Sequence, residues 1–487
     1  MASTDIAERD RAPQLFGHPR GLTFLFGTEM WERFSYYGNR VLLPIFLTGY
    51  LLQPAHADQV IGYQAIKHFF EWFRGSLAVQ PLESMIYAVY TALVYFTPLI
   101  GGYLADRWFG RRYTVVIGGL LMAVGQFLMT SDQLFFIALT FMIVGNGAFK
   151  PNISTQVGGL YKPGDHRIDR AYSIFYVGIN VGSLLGQSIC GPLGEKVNWH
   201  YGFAAAGVGM LIGTITYLFA MRTLPSDRVV RDKTATATVK APRKPFSGDD
   251  WRAMGMLILL FIPCCLFWAT YEQSGNVIEI WSRDYVDRMV HLGSWSFEIP
   301  VTTLQNVNPF FIFTFTPIVL MLWGNQQKKG REPSVIVKMA LGCLLISLSY
   351  LLLAGVMYWA GPTGKVFWPW AIAYFALLTA GELYFSPVGL SLYAKAAPVQ
   401  IGGFMMAVFL ATSSPGNLLA GILGSYWSDM NKVTFFLMIA AIIGVAVPVI
   451  FAFKGPIERV LARRREQERL ERLDDPTLQP HMEPPPG

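Results

Sequence analysis

The segment 29–40 reads EMWERFSYYGNR and places two carboxylates, two guanidinium groups and two phenols within three helical turns. At about 3.6 residues per turn, Glu29, Glu32, Arg33, Tyr36, Tyr37 and Arg40 fall largely along one broad face. Such a set can trade protons and ion partners. Burial favours the neutral form of a carboxyl group, and a nearby guanidinium favours the charged form. The flanks, GLTFLFG before and VLLPIFLTGYLL after, are apolar enough for lipid. A charge at bilayer depth costs at least roughly 2.5–3.5 kcal/mol unless it faces a protein interior or a wet cavity. The stripe is therefore expected to point inward. A cluster of ion pairs that only locks helices together is the competing reading. Two tyrosines and a second arginine make the stripe more polar than a lock requires.

Other apolar stretches carry single polar groups. Glu272 in FWATYEQSGN and Glu382 in TAGELYFSP lie in mid-stretch. Pro387, just after the latter, is expected to kink or end its helix. Lys150 in GNGAFKPN lies near the end of its stretch, where a basic residue also serves as an orientation anchor. Asn180 in FYVGINVGS and Asn308 in LQNVNPFF are buried amides, suited to holding helices together or to meeting a ligand. Tyr87, Tyr90 and Tyr95 are core or belt aromatics. Arg33, Arg40 and Lys150 belong to the first half of the chain, Glu272 and Glu382 to the second. A cavity between the halves would be positive on one wall and negative on the other, which suits a zwitterion.

The elements that must hold these groups are membrane spans. The chain has 487 residues, 53% hydrophobic and 15% charged, with a mean hydropathy of +0.37; soluble proteins average about 25% charged. The predicted fold is an all-α membrane protein of about twelve spans, near 22–51, 82–105, 113–131, 133–156, 171–192, 202–222, 251–282, 301–324, 334–358, 367–394, 402–427 and 433–454. They divide into a six-helix half over 22–222 and another over 251–456, joined by a polar linker, 223–250. The start, MASTDIAERDRAPQ, has no cleavable signal pattern, so residues 1–21 form a tail and the first span drives insertion. Residues 457–487 begin as a charged helix, ERVLARRREQERLERL, and end Pro-rich.

Loops with Arg107, Arg111 and Arg112, with Lys162, Arg167 and Arg170, and with Lys328, Lys329 and Arg331 alternate with loops poorer in Lys and Arg. The basic loops, and with them both termini, are expected in the cytoplasm. The net charge of +7 thus reports orientation, not nucleic-acid binding. The long outer loop 52–81 contains HFFEWFRG, a candidate interfacial helix. Cys190, Cys264, Cys265 and Cys343 lie in apolar stretches and read as buried thiols; neither a metal nor a cofactor is expected. The chain has no GxxxxGK[ST] loop, nucleophile elbow or HExxH pair. ATP-driven pumping and enzyme chemistry are therefore not expected, and an ion gradient, at about 2.3 kcal/mol per charge per 100 mV, would supply the work.

EMWERFSYYGNR resembles the ExxER motif of the proton-dependent oligopeptide transporters of the major facilitator superfamily. GGYLADRWFGRR resembles that superfamily's cytoplasmic loop between spans two and three; FKPNISTQVGGLY, FYVGINVGS and GELYFSPVGLS resemble further family segments. The resemblance runs from about residue 21 to 456. It implies two six-helix halves and symport of di- and tripeptides with protons by alternating access, by a functional monomer in a bacterial inner membrane. In that resemblance Glu29, Glu32 and Arg33 couple the proton. Arg40 and Lys150 match the bases near the peptide carboxylate, with Tyr36, Tyr37 and Tyr95 on the same side. Asn180, Asn308 and Glu382 match the group that holds the amino end, and Glu272 the seventh-span acid that pairs across the halves. Arg40 with Glu272 and Lys150 with Glu382 would act as gating salt bridges.

The chain departs from the family pattern in places. Asn39 replaces a methionine, and Phe409 stands where a tryptophan is usual, which puts a side-chain pocket in question. Ala88 stands where animal relatives have a histidine, so coupling should rest on carboxylates. The linker is too short for two extra helices, and the loop near 359–366 lacks a large outer domain. Transport of another small anion or a drug, and a non-transporting peptide sensor, are the alternatives.

Overall fold

The computed structural model describes residues 14–15, 17–161, 165, 167–224, 246–362, 364–398 and 401–474. The N-terminal tail before residue 14, most of the linker (225–245) and the tail after 474 lie outside the described residues, as does Lys162. Among the described residues, ten helices are long and apolar enough to cross a membrane. In chain order they are spans 2 (Val79–Phe109), 4 (Asp132–Gly159), 5 (Arg170–Val197), 6 (Trp199–Ala220), 7 (Asp250–Asp284), 8 (Val301–Lys328), 9 (Val335–Ala360), 10 (Pro369–Ala396), 11 (Gly402–Gly424) and 12 (Lys432–Ala452). The other two expected spans are helices as well. Span 1 is Arg20–Arg40, continued through Leu43–Phe46 and Leu47–Leu51, and span 3 is Arg111–Leu128. Span 1 is diluted by its ionisable stripe and span 3 opens on two arginines, so neither reaches the apolarity of the rest.

Two apolar cores form. One draws its buried residues from Leu22 to Leu224, the other from Leu257 to Ile457. Spans 1 and 5 pack against each other along Gly178, Gly182 and Gly186, one small residue per turn. A Cβ at Gly182 would lie 2.1 Å from the Met30 carbonyl oxygen, and one at Gly186 2.2 Å from that of Phe34. Without a hydrophobic drive between helices in lipid, this close approach supplies the packing, and it fixes the rotation of the span that bears the charged stripe.

Spans 1, 7 and 8 break where they meet the centre, span 8 at Gln305–Asn306. Span 1 stops being regular after Arg40. Span 7 runs as a helix over Phe261–Tyr271, tightens into a 3₁₀ turn at Glu272–Gly275, passes Asn276 at φ −131° and ψ −97°, and resumes over Val277–Asp284. Backbone irregularity at this depth is tolerated where it lines a cavity. Span 10 does not end at Pro387 but continues through it to Ala396, packed against spans 8 and 9.

At one end of the bundle, Tyr63–Arg74 forms the helix expected in the long loop, with Phe69, Trp72 and Phe73 exposed. Met289–Leu292 and Trp295–Glu298 form a hairpin there. Of the four cysteines, three are buried and Cys265 is partly exposed.

Candidate functional site

A cavity of about 280 Å³ lies between the halves. The first half contributes Tyr37, Arg40, Tyr95 and Asn180; the second contributes Glu272, Asn308 and Glu382. Arg40 ends the regular part of span 1, where the helix dipole favours a cation. Its Nη2 donates to Glu272 Oε2, and its Nε donates to the Tyr87 hydroxyl at 2.8 Å. The opposite wall is acidic. Glu382 Oε2 accepts from the Tyr271 hydroxyl at 2.8 Å and from Asn308 Nδ2 at 3.1 Å. Asn308 also donates to Thr379 at 3.0 Å. Asn180 Nδ2 donates to the Tyr176 carbonyl of its own helix at 3.0 Å.

The rest of the expected set stands apart from the cavity wall. Arg33 Nη2 donates to Glu32 Oε1 at 2.6 Å, its Nε donates to Glu32 Oε2, and Glu29 Oε1 lies 3.4 Å from that Nε. All three are almost fully buried. The Arg33 guanidinium carbon lies 5.0 Å from the Tyr36 ring centre, and the Tyr36 hydroxyl is buried without a partner. The Lys150 ammonium sits 5.1 Å from the centre of the Tyr95 ring. The structure thus links Lys150 to the cavity through Tyr95 and brings Arg40 to Glu272, but it does not bring Lys150 to Glu382.

The cavity's two ends differ. Ser274, Glu279 and Glu272 at one end are buried, whereas Tyr176 at the other is 50% exposed. Bridges between the halves gather at the buried end: Ser84 donates to Asn276 at 3.0 Å, Gln80 to the Gly424 carbonyl at 3.1 Å, Arg283 to Thr48 at 2.9 Å and Lys196 to Glu298 at 2.6 Å. A binding space between two helical halves, bridged at one end, fits the layout of an alternating-access carrier.

A profile of the POT family matches residues 112–242 and 227–439. The chain belongs to the POT family. Its relatives include a di-/tripeptide transporter of Lactococcus lactis subsp. cremoris, 32% identical over 507 residues, covering 92% of this chain and 97% of that one. A peptide transporter of Yersinia enterocolitica is 29% identical, with 93% and 97% covered. Among solved structures, the peptide transporter POT in complex with sulfate superposes with a TM-score of 0.78 at 27% identity, covering 94% of this chain and 99% of that chain. A POT family transporter bound to 5-aminolevulinic acid superposes with a TM-score of 0.77 at 28% identity, covering 92% and 99%. The chain is accordingly a multi-pass membrane protein with the family's helical bundle.

The departures from the POT pattern now have locations. Asn39 is buried behind span 1 and donates to Gln126 Oε1 at 2.9 Å, away from the cavity. Ala88 meets Gly421 so closely that a Cβ on the glycine would lie 2.1 Å from the alanine's own; an imidazole has no room there. Phe409 is 1% exposed and packs on Tyr393 with ring centres 5.2 Å apart, in the second core rather than on the cavity wall.

Sequence reasoning passed over two acids and a phenol. Tyr271 adjoins Glu272 and holds Glu382; a phenol in an apolar stretch carries no signal of its own that sets it apart from a core aromatic. Glu83 and Glu279 are 0% and 2% exposed. The signal that singled out Glu272, an acid in an apolar stretch, applies to both as well.

Proposed function

We propose that this POT-family protein carries di- and tripeptides across a bacterial inner membrane together with protons, as a monomer with both termini in the cytoplasm. The observation that carries the reading is the pair of opposed walls: Arg40 on one side of the cavity, Glu382 with Asn308 on the other. A peptide's carboxylate fits the guanidinium fork, and its ammonium fits the carboxylate. A cavity of about 280 Å³ suits a small ligand. With the basic loops on the cytoplasmic side, the Tyr176 end of the cavity faces the cytoplasm and the bridged end faces out.

Coupling follows from competition for partners. Peptide binding draws Arg40 away from Glu272, which loosens one link between the halves. Protonation of Glu29 or Glu32 weakens the hold on Arg33, freeing a second cation beside the site and favouring the peptide's anionic end. Lys150 and Glu382, apart in this conformation, would close the cytoplasmic side when the outer side opens. The protein catalyses passage and no covalent step.

The test is reconstitution in liposomes with labelled dialanine. Uphill uptake driven by an inward proton gradient and abolished by an uncoupler supports symport. Absence of dialanine flux in a folded sample overturns the peptide reading.

A further inference from the structure

At the outer seam between the halves, two buried acids stand without an ion partner among the described residues. Arg40 is held by Glu272. Arg283 is held by Asp284 at 2.7 Å and by Thr48. Arg288 lies 3.4 Å from Glu195 and 2.7 Å from Glu298, and Lys196 takes Glu298 at 2.6 Å. Glu195 also accepts from the backbone N–H groups of Val301 and Thr302. Glu83 on span 2 and Glu279 on span 7 have no ion pair among the described residues. Glu83 Oε2 meets only the Ser84 hydroxyl, at 3.2 Å. Glu83 Oε1 and Glu279 Oε2 are buried and meet no donor.

The two acids face each other's half. Ser84, next to Glu83, donates to Asn276, one turn before Glu279. Around Glu279 the acting charges are Arg40, Glu83 and Glu195, and the Tyr87 phenol of span 2 is also near. Glu272 and Asp287 lie on flanking segments, and Leu43–Phe46 and Val301–Leu304, packed against it, carry no ionisable group. Around Glu83 the acting charge is Arg283. Span 11, packed on span 2, has no ionisable residue; span 4 brings Asp132 and Lys150 near its two ends. The interfacial helix brings His68, a Lys67–Glu71 pair and Arg74, which binds the Ser425 carbonyl and faces Asp429. Each cation is thus engaged elsewhere, while Glu279 also lines the cavity.

We infer that Glu83 and Glu279 form a proton-binding site in the outer gate, distinct from the Glu29–Glu32–Arg33 cluster, and that closing this gate takes up protons from outside. When the halves part at this end, each carboxylate enters water and ionises at neutral pH, as an ordinary acid does. Closure expels that water and confronts two acids with no counter-cation. Burying unpaired carboxylates is costly, so closure proceeds once a proton from outside neutralises one or both. No bond other than O–H is made, and the proton's donor is water or buffer. By linkage, the closed-to-open ratio changes up to about tenfold per pH unit for each proton bound on closing.

The test reads gate distance without substrate, so it is independent of the peptide reading, whose failure would appear as absent dialanine flux. Spin labels at Gln59→Cys and Ser296→Cys, on the outer surfaces of the two halves, are introduced into a chain whose four native cysteines are alanine. Distance distributions are recorded in lipid nanodiscs from pH 5 to 8. In the parent, the short-distance population dominates at pH 5 and recedes as pH rises. In Glu83→Gln/Glu279→Gln, whose amides cannot ionise, it persists across the range. An unchanged pH response in the double variant, or none in the parent, overturns the inference. If the double variant fails to fold, Glu83→Gln and Glu279→Gln singly must each lower the slope; two unaltered slopes overturn it as well.

Discussion

Arg40 and Glu272 lie 232 residues apart in sequence and form one largely buried ion pair across the seam between the halves. Each stands at a break in its helix, so the pair joins two irregular points of the bundle at the cavity wall. A cation that closes the seam and also faces the ligand is able to report ligand binding to the seam.

Replacing either partner should separate these roles. Glu272→Gln removes the acid and leaves Arg40 able to take a peptide carboxylate; exchange of dialanine should persist while uphill accumulation is lost. Arg40→Ala removes a charge-assisted contact of about 1.5–3 kcal/mol, so peptide affinity should fall roughly ten- to a hundredfold. Competition binding beside gradient-driven uptake distinguishes the two; equal loss of both activities in both variants would contradict the assignment.

Glu32→Gln addresses proton coupling. Arg33 holds Glu32 through Nε and Nη2. Breaking a buried pair costs about 3–5 kcal/mol where the remaining charge is left uncompensated, and Glu29, 3.4 Å from Nε, keeps the loss toward the lower end. The variant should melt earlier and lose uphill uptake. Full uphill uptake in Glu32→Gln would remove this cluster from the coupling scheme.

Much of this architecture was legible beforehand, for a physical reason. Lipid punishes misplaced charge, so acids and bases inside apolar stretches mark inward-facing positions: Arg40, Glu272 and Glu382 do meet in one cavity. What the sequence could not convey was depth. Helical spacing put Glu32, Arg33, Tyr36 and Arg40 on one broad face, yet only Arg40 of these reaches the cavity, because the glycines of span 5 set the rotation of span 1. Lys150 and Glu382, expected to pair, stand apart here: Lys150 sits over the Tyr95 ring, and Glu382 is held by Tyr271 and Asn308. Phe409 looked like a pocket residue from its motif, but packing on Tyr393 keeps it in the core.

Glu382 should select for a free amino end. Tyr271 and Asn308 aim its carboxylate at the cavity, and an N-acetylated dipeptide offers it no cation. The unmodified protein should therefore favour dialanine over its N-acetyl derivative by tenfold or more, about 1.4 kcal/mol. Glu382→Gln should bind dialanine less tightly and compress that preference. Inhibition constants for both ligands provide the comparison.

Glu298 gives a pH prediction outside the membrane. The hydrogen bond from Lys196, aided by Arg288, holds its carboxyl below the ordinary glutamate value despite partial burial. A depressed folded-state value means that the contribution is present above the unfolded pKa, near 4.5, and fades as pH falls through the folded one. The pair is about two-fifths exposed, so solvent screening keeps it small, below about 1 kcal/mol. Glu298→Gln should melt slightly earlier than the parent at pH 7, and the difference should vanish toward pH 3.

Phe409→Trp tests whether this position shapes substrate choice. The Phe409 ring lies so close to Gly389 that a Cβ there would be 2.5 Å from it, and Met405 and Phe385 are neighbours in the same core. An indole has to displace them, and overpacking of this kind costs about 1–3 kcal/mol. The variant should melt several degrees earlier and keep the parent's ranking of dipeptides with small, aromatic and charged side chains. A changed ranking at unchanged stability would place Phe409 at the ligand, in a conformation in which the second half opens this core to the cavity.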